Sequence, residues 1–198
     1  MPWMIELDAG VAQQLAEEVT PSSAIQVRVG TSNSELIIAS ILQPLIQGFE
    51  MRGVYICASR SAADIIQSLE QIGVDPSGIQ FIDTVSSGFI GGTEVPYPNV
   101  RFVDSPIMLE SIMLQTLYHL GEYTETGNFV IIDSVNALSI YNEKRMLAEY
   151  LHTFINTFRA REVLTVIINV PDQTPPGVLA NLDLYCTDLI DRGQVVIH

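Results

Sequence analysis

The strongest constraint on this chain is a set of short runs that are apolar almost throughout: Val54-Tyr55-Ile56-Cys57-Ala58, Phe129-Val130-Ile131-Ile132 ending in Asp133, and Leu164 to Val170. A half-exposed strand alternates polar and apolar residues; a strand without alternation has to be covered on both faces. Between the runs lie stretches of helical periodicity. In 143–161, Leu147, Tyr150, Leu151, Phe154, Ile155 and Phe158 recur at i, i+3, i+4, i+7, i+8 and i+11. Two-sided strands alternating with amphipathic helices imply an α/β fold: a mostly parallel central sheet with helices on both faces. The central strands are expected at 25–29, 54–58, 129–133 and 164–170.

The remaining segments fill in that plan. Residues 5–19 carry a helical pattern stopped by Thr20-Pro21, so 1–20 is read as an N-terminal helical extension. Ile25 to Val29 is a β-branched strand that ends at Gly30. Thr31-Ser32-Asn33-Ser34 then offers turn and N-cap chemistry before an apolar helix over 36–47. A helix at 62–72 closes at Gly73, and strands follow at 79–83 and 100–103. They flank a Gly/Pro-rich loop, 86–99, whose Phe89, Ile90, Val95 and Tyr97 fit no core pattern. A helix is expected at 108–120, and 182–198 reads as one or two strands broken near Asp191-Arg192-Gly193. With no internal repeat and no linker, 1–198 is expected to be a single domain.

Charge narrows the function. Nine Lys+Arg against 23 Asp+Glu give a net charge of −14, and Lys144 is the only lysine. A chain this acidic repels phosphate backbones, so direct nucleic-acid binding is not expected. Cys57 and Cys186 lie in apolar surroundings without metal-ligand or redox spacing, and read as free, buried thiols. No apolar run approaches the ~18 residues that span a bilayer, and the N-terminus has no basic leader, so a cytoplasmic protein is expected, with no membrane partner.

In such sheets ligands bind beyond the carboxyl ends of the strands. Four loops share that edge: Gly30–Ser34, Ser59–Ala63, Asp133–Asn136 and Pro171–Asn181. Strand, Gly30, polar loop and helix have the topology of a phosphate cradle. The apolar run into Asp133-Ser134 has that of a magnesium-positioning aspartate, although an acid there also fits a structural cap for the next turn.

Together these segments resemble the RecA-fold ATPases of the KaiC/RadA type, common in archaea. Pro21-Ser22-Ser23-Ala24-Ile25-Gln26-Val27-Arg28-Val29-Gly30 is similar to the family's lead-in and first strand, and Gly53 to Ser59 to its second. Phe129-Val130-Ile131-Ile132-Asp133-Ser134-Val135-Asn136-Ala137-Leu138 resembles its Walker B stretch, and the resemblance runs from about residue 20 to 198. It implies a RecA-like P-loop fold, side-by-side association with itself or a related subunit, and a nucleotide site at Gly30, Thr31, Ser32, Asn33, Ser34, Arg60, Asp133 and Ser134.

The departures from that pattern are chemical. Laid without gaps from Gly30, the Walker A pattern G-x-x-x-x-G-K-[ST] puts Glu35 at the second glycine, Leu36 at the lysine and Ile37 at the magnesium-binding hydroxyl. A shift of two residues brings Ser34 to the lysine slot. Where the family carries water-polarising glutamates, this chain has Ala58-Ser59-Arg60. A nucleoside triphosphate brings about three to four negative charges; here they would meet Glu35 at the helix start, with Arg60 as the one candidate replacement cation. The expectation is therefore a vestigial site: no catalytic residue, no metal, no ATP or magnesium as cofactor, and a regulatory or protein-interaction role. The alternatives are an atypical, weakly nucleotide-binding ATPase and an accessory factor to a recombination or KaiC-like ATPase. Lesser motifs carry less. His119 with Glu122 reads as a surface pair, Ser134 lacks a nucleophile elbow, and Lys144, Arg145, Arg159 and Arg161 read as partners of Glu143, Glu149 and Glu162.

Overall fold

The computed structural model describes residues 19–30, 34–86, 97–121 and 127–191, and the backbone of 194–196. The eight strands are β1 (Ala24–Arg28), β2 (Arg52–Cys57), β3 (Ile79–Asp83), β4 (Val100–Phe102), β5 (Asn128–Asp133), β6 (Val163–Asn169), β7 (Asp188–Asp191) and β8 (Gln194–Val196). They form one sheet in the order β4-β3-β2-β5-β6-β1-β7-β8. All neighbours up to β7 run parallel, and β8 alone returns antiparallel to β7. The four runs expected at the centre are the four central strands.

Among the described residues the α-helices are α1 (Ser34–Gln43), α2 (Ala62–Ile72), α3 (Leu109–Gly121), α4 (Val135–Tyr141), α5 (Lys144–Arg159) and α6 (Pro176–Tyr185). The pleat divides each central strand between two cores. Tyr55, Cys57, Phe129, Ile131, Val166 and Ile168 pack with α1 and α2. Val54, Ile56, Val130, Ile132 and Ile167 pack with α3, α4, α5 and α6 on the other face. That is why the runs show no alternation. Close sheet packing also demands Gly53, where a Cβ would lie 2.4 Å from the Phe129 ring. Gly73, at φ 90°, supplies the left-handed residue that ends α2.

Three expectations are corrected. The helix expected over 36–47 is α-helical only to Gln43. Pro44 has no N–H to give the preceding turn, and 44–48 continues as a wider π turn closed by Phe49 N–H on the Pro44 carbonyl at 2.9 Å. The loop expected at Pro171–Asn181 gives way largely to α6, which also takes Leu182–Tyr185 from the expected final strands; β7 and β8 then follow, on either side of the break expected near Asp191-Arg192-Gly193. α6 opens with Pro176-Gly177 and buries only Val178 and Leu182, while Leu179, Leu184 and Tyr185 lie on less buried sides, so its apolar residues reveal no helical period. α4 is seven residues long and was hidden in the same way. Cys57 lies inside β2 and Cys186 just after α6, both as free thiols. Burial pushes the Cys57 thiol well up and that of Cys186 to about 12. Tyr97, read as part of an exposed loop, packs against the α1–α2 core. Phe89, Ile90, Val95 and the helix expected at 5–19 lie outside the described residues apart from Val19.

Candidate functional site

The carboxyl ends of β1, β2, β5 and β6 bring the loops singled out in the sequence to one edge. At the first, Gly30 follows β1, Thr31, Ser32 and Asn33 lie outside the described residues, and Ser34 opens α1. Ile37, aligned with the magnesium hydroxyl, is buried in the core, and Leu36, aligned with the phosphate-binding lysine, is half-buried. Glu35, in the first turn, projects to the exposed side. The Arg60 guanidinium, from the loop after β2, donates to the Glu35 carboxylate. Ser68 of α2 joins them, 3.4 Å from Glu35 and 3.5 Å from Arg60. Arg60, the candidate replacement cation, thus pairs with the carboxylate at the helix start.

Asp133 ends β5 on the same face as Tyr55 and Cys57, since the register pairs it with Cys57 across β2. Its side chain is 6% exposed. The Tyr55 hydroxyl donates to Oδ2 at 2.6 Å and the Ser59 hydroxyl to Oδ1 at 3.0 Å. The Asp133 carbonyl accepts from Ala58 N–H at 2.7 Å and Ser59 N–H at 3.1 Å. Burial raises the pKa of the carboxyl against the opposing pull of these two hydroxyls and of Arg60. Burial, then the neighbouring Asp133, pushes the Tyr55 phenol far up, so it remains a donor. The Asp133–Ser134 peptide is cis. Ser134 is buried ahead of α4 without capping it by its side chain. Asn136 takes over at that edge, accepting from Val170 N–H at 3.2 Å and donating to Gln173 at 3.3 Å.

A second buried acid, Asp83, escaped the sequence reading. At the end of β3 it accepts from the N–H groups of Ala62 at 2.9 Å, Val85 at 2.8 Å and Ser86 at 2.9 Å, and from the Ser86 hydroxyl at 2.7 Å. Tyr55 and Ser59 were missed too. Tyr55 reads as core in an apolar run, and only the register of β2 with β5 carries its hydroxyl to Asp133.

The described residues at this edge depart from the usual arrangement of a magnesium-nucleotide site. An aspartate that positions magnesium offers its oxygens to the ion's water shell; both oxygens of Asp133 are engaged by internal hydroxyls. In the gapless alignment from Gly30, Leu36 and Ile37 stand at the Walker A lysine and hydroxyl positions, and Arg60 pairs with Glu35 in a partly exposed ion pair. Among the described residues no cluster of His, Cys, Asp and Glu could hold a metal ion, and no helix is long and apolar enough to cross a membrane. His119 is buried, with its ring 5.1 Å from that of Tyr118, which corrects its reading as a surface residue; Glu122 lies outside the described residues. Of the basic groups on α5, Arg145 does pair with Glu149 at 2.8 Å, whereas Arg159 donates to the Tyr185 carbonyl at 2.9 Å.

No family model matches the chain, and no curated protein matches it significantly. Solved structures do. A KaiC-like protein, PH0186, from the hyperthermophilic archaeon Pyrococcus horikoshii OT3 superposes with a TM-score of 0.62 at 14% identity, covering 86% of this chain and 72% of that one. The flagellar accessory protein FlaH from Methanocaldococcus jannaschii superposes with a TM-score of 0.65 at 12% identity, covering 96% of this chain and 82% of its own. With seven parallel strands, helices on both faces and these likenesses, the chain has the RecA-like α/β fold of KaiC-like proteins and FlaH.

Proposed function

We propose that this chain is a RecA-like module that does not turn over ATP and acts through contacts with other proteins, as a regulatory or accessory subunit. The observation that carries this reading is the Glu35–Arg60 clasp at the start of α1. In a phosphate cradle the helix start has to present positive potential and open N–H groups. Here a carboxylate occupies it, and the nearest cation is bound to that carboxylate. The loss of a cradling lysine and of a magnesium hydroxyl removes ~3–4 kcal/mol of binding, enough to move a micromolar site to about millimolar. One neighbour of the same fold is an accessory protein, which agrees with an auxiliary role.

The test is a calorimetric titration with MgATP alongside a phosphate-release assay on the same preparation. Binding weaker than about millimolar and no release above background are expected. Micromolar binding, or turnover that disappears in Asp133→Ala, would replace this reading with that of an atypical nucleotide-binding ATPase.

A further inference from the structure

We infer that the groove between α3 and α5 is a docking site for a basic amphipathic helix of a partner protein. This rests on the reading of the chain as an interaction module and adds where the partner sits and what chemistry it brings. α3 is the unusual element. Its inner face buries Leu109, Ile112 and Leu120, as a surface helix should. Its outer face carries large apolar side chains too: Leu114 and Tyr118, one turn apart and following Glu110, are each 66% exposed. Large apolar side chains exposed on successive turns form a patch of the kind that partners cover. Met146, 56% exposed on the neighbouring α5, extends the same patch across the groove. The groove has a volume of about 530 Å³ and runs beside a 13-residue helix, about 20 Å long.

Its shape and charge select the occupant. Both walls are helices, so a third helix can lay ridges into their groove. An extended peptide would need a sheet edge, and the edges, β4 and β8, are other elements. Each wall carries a carboxylate, Glu110 on α3 and Glu149 on α5. Arg145 engages Glu149 only in an exposed i, i+4 pair, which is largely screened. A second copy of this chain would bring another net charge of −14 and the same two acids to the contact. Lys and Arg flanking an apolar stripe would complement the rim.

Two fluorescein-labelled 14-residue peptides with the same leucine stripe would test this, one with lysines and one with glutamates on the polar face, titrated by anisotropy against the full chain. The lysine peptide is expected to bind saturably and at least tenfold more tightly than the glutamate peptide. Leu114→Glu and Met146→Glu should each weaken it at least tenfold, and Leu184→Glu, on exposed α6, less than twofold. Leu114→Glu separates insertion from charge attraction, because an added carboxylate strengthens mere attraction. Equal or tighter binding to Leu114→Glu, equal loss in Leu184→Glu, or no preference between the peptides would overturn the proposal. So would a dimer in sedimentation that Leu114→Glu dissociates, since the occupant would then be a second copy. The exposed positions keep the variants folded, which circular dichroism checks. The nucleotide titration stands apart: either result can fail without the other.

Discussion

Asp83 and Asp133 end the two strands that flank β2, both in the same sheet edge and both buried, yet they are held by different chemistry. Asp83 takes three backbone N–H groups and one hydroxyl, and so ties the start of α2 and the turn after β3 to the sheet. Asp133 takes two side-chain hydroxyls, and burial works against its charge. Backbone donors cannot leave or rotate away, so Asp83 is a structural anchor. Hydroxyls are adjustable and satisfy either protonation state, so Asp133 ties less of the backbone to the sheet. The acid that the sequence singles out is expected to be the less consequential for the fold.

The largest expected effect is on the anchor. Asp83→Ala leaves buried N–H groups unpaired and should cost about 3 kcal/mol, seen as a fall in melting temperature of roughly 10 °C. A loss below about 1 kcal/mol in thermal unfolding would erase the contrast between the two acids.

Next comes Tyr55→Phe, which removes the 2.6 Å donor from Asp133. With a buried carboxylate left on one hydroxyl, a loss of about 2 kcal/mol is expected at pH 7, shrinking in acid as Asp133 protonates. Denaturant unfolding at the two pH values measures it; a loss that does not change with pH would mean Asp133 is already neutral.

The smallest effect is expected for Asp133→Asn, within about 1 kcal/mol of the parent at pH 7. Because the folded carboxyl has its pKa raised above the ordinary 3.8, the folded state holds the proton more tightly than the unfolded one. The parent's stability from this group is therefore full below pH 3.8 and declines as pH rises through the folded value. Relative to the parent, the asparagine variant should gain stability from pH 3 to 7. Melting curves across that range showing the opposite slope would mean that hydrogen bonds, rather than desolvation, set the charge of Asp133.

The legibility of these features follows the range of the forces behind them. β2, β5 and β6 are visible because two-sided burial leaves a contiguous apolar signature. α5 is visible because its inner face repeats through Leu147, Leu151, Phe154 and Phe158. α6 contributes two buried side chains and begins with Pro-Gly, so local preference there conflicts with the structure that packing on β1 and α5 enforces. At the candidate site, Gly30, Ser34, Arg60, Asp133 and Ser134 could be singled out by their places in the chain alone. Tyr55, Ser59 and Asp83 could not, since their significance lies in what they touch.

Residue order alone determined the parallel sheet, its central strands and the absence of a Walker A lysine, because each depends on which side chains a segment carries. Tertiary structure alone decided that Arg60 is bound to Glu35, that Asp133 is buried beneath Tyr55 and Ser59, that His119 is inside, and that α3 turns Leu114 and Tyr118 to solvent. Those outcomes depend on pairings between residues far apart in sequence: 25 positions for Glu35 and Arg60, and 78 for Tyr55 and Asp133. Such pairings are set by strand register and helix placement, which no local pattern records.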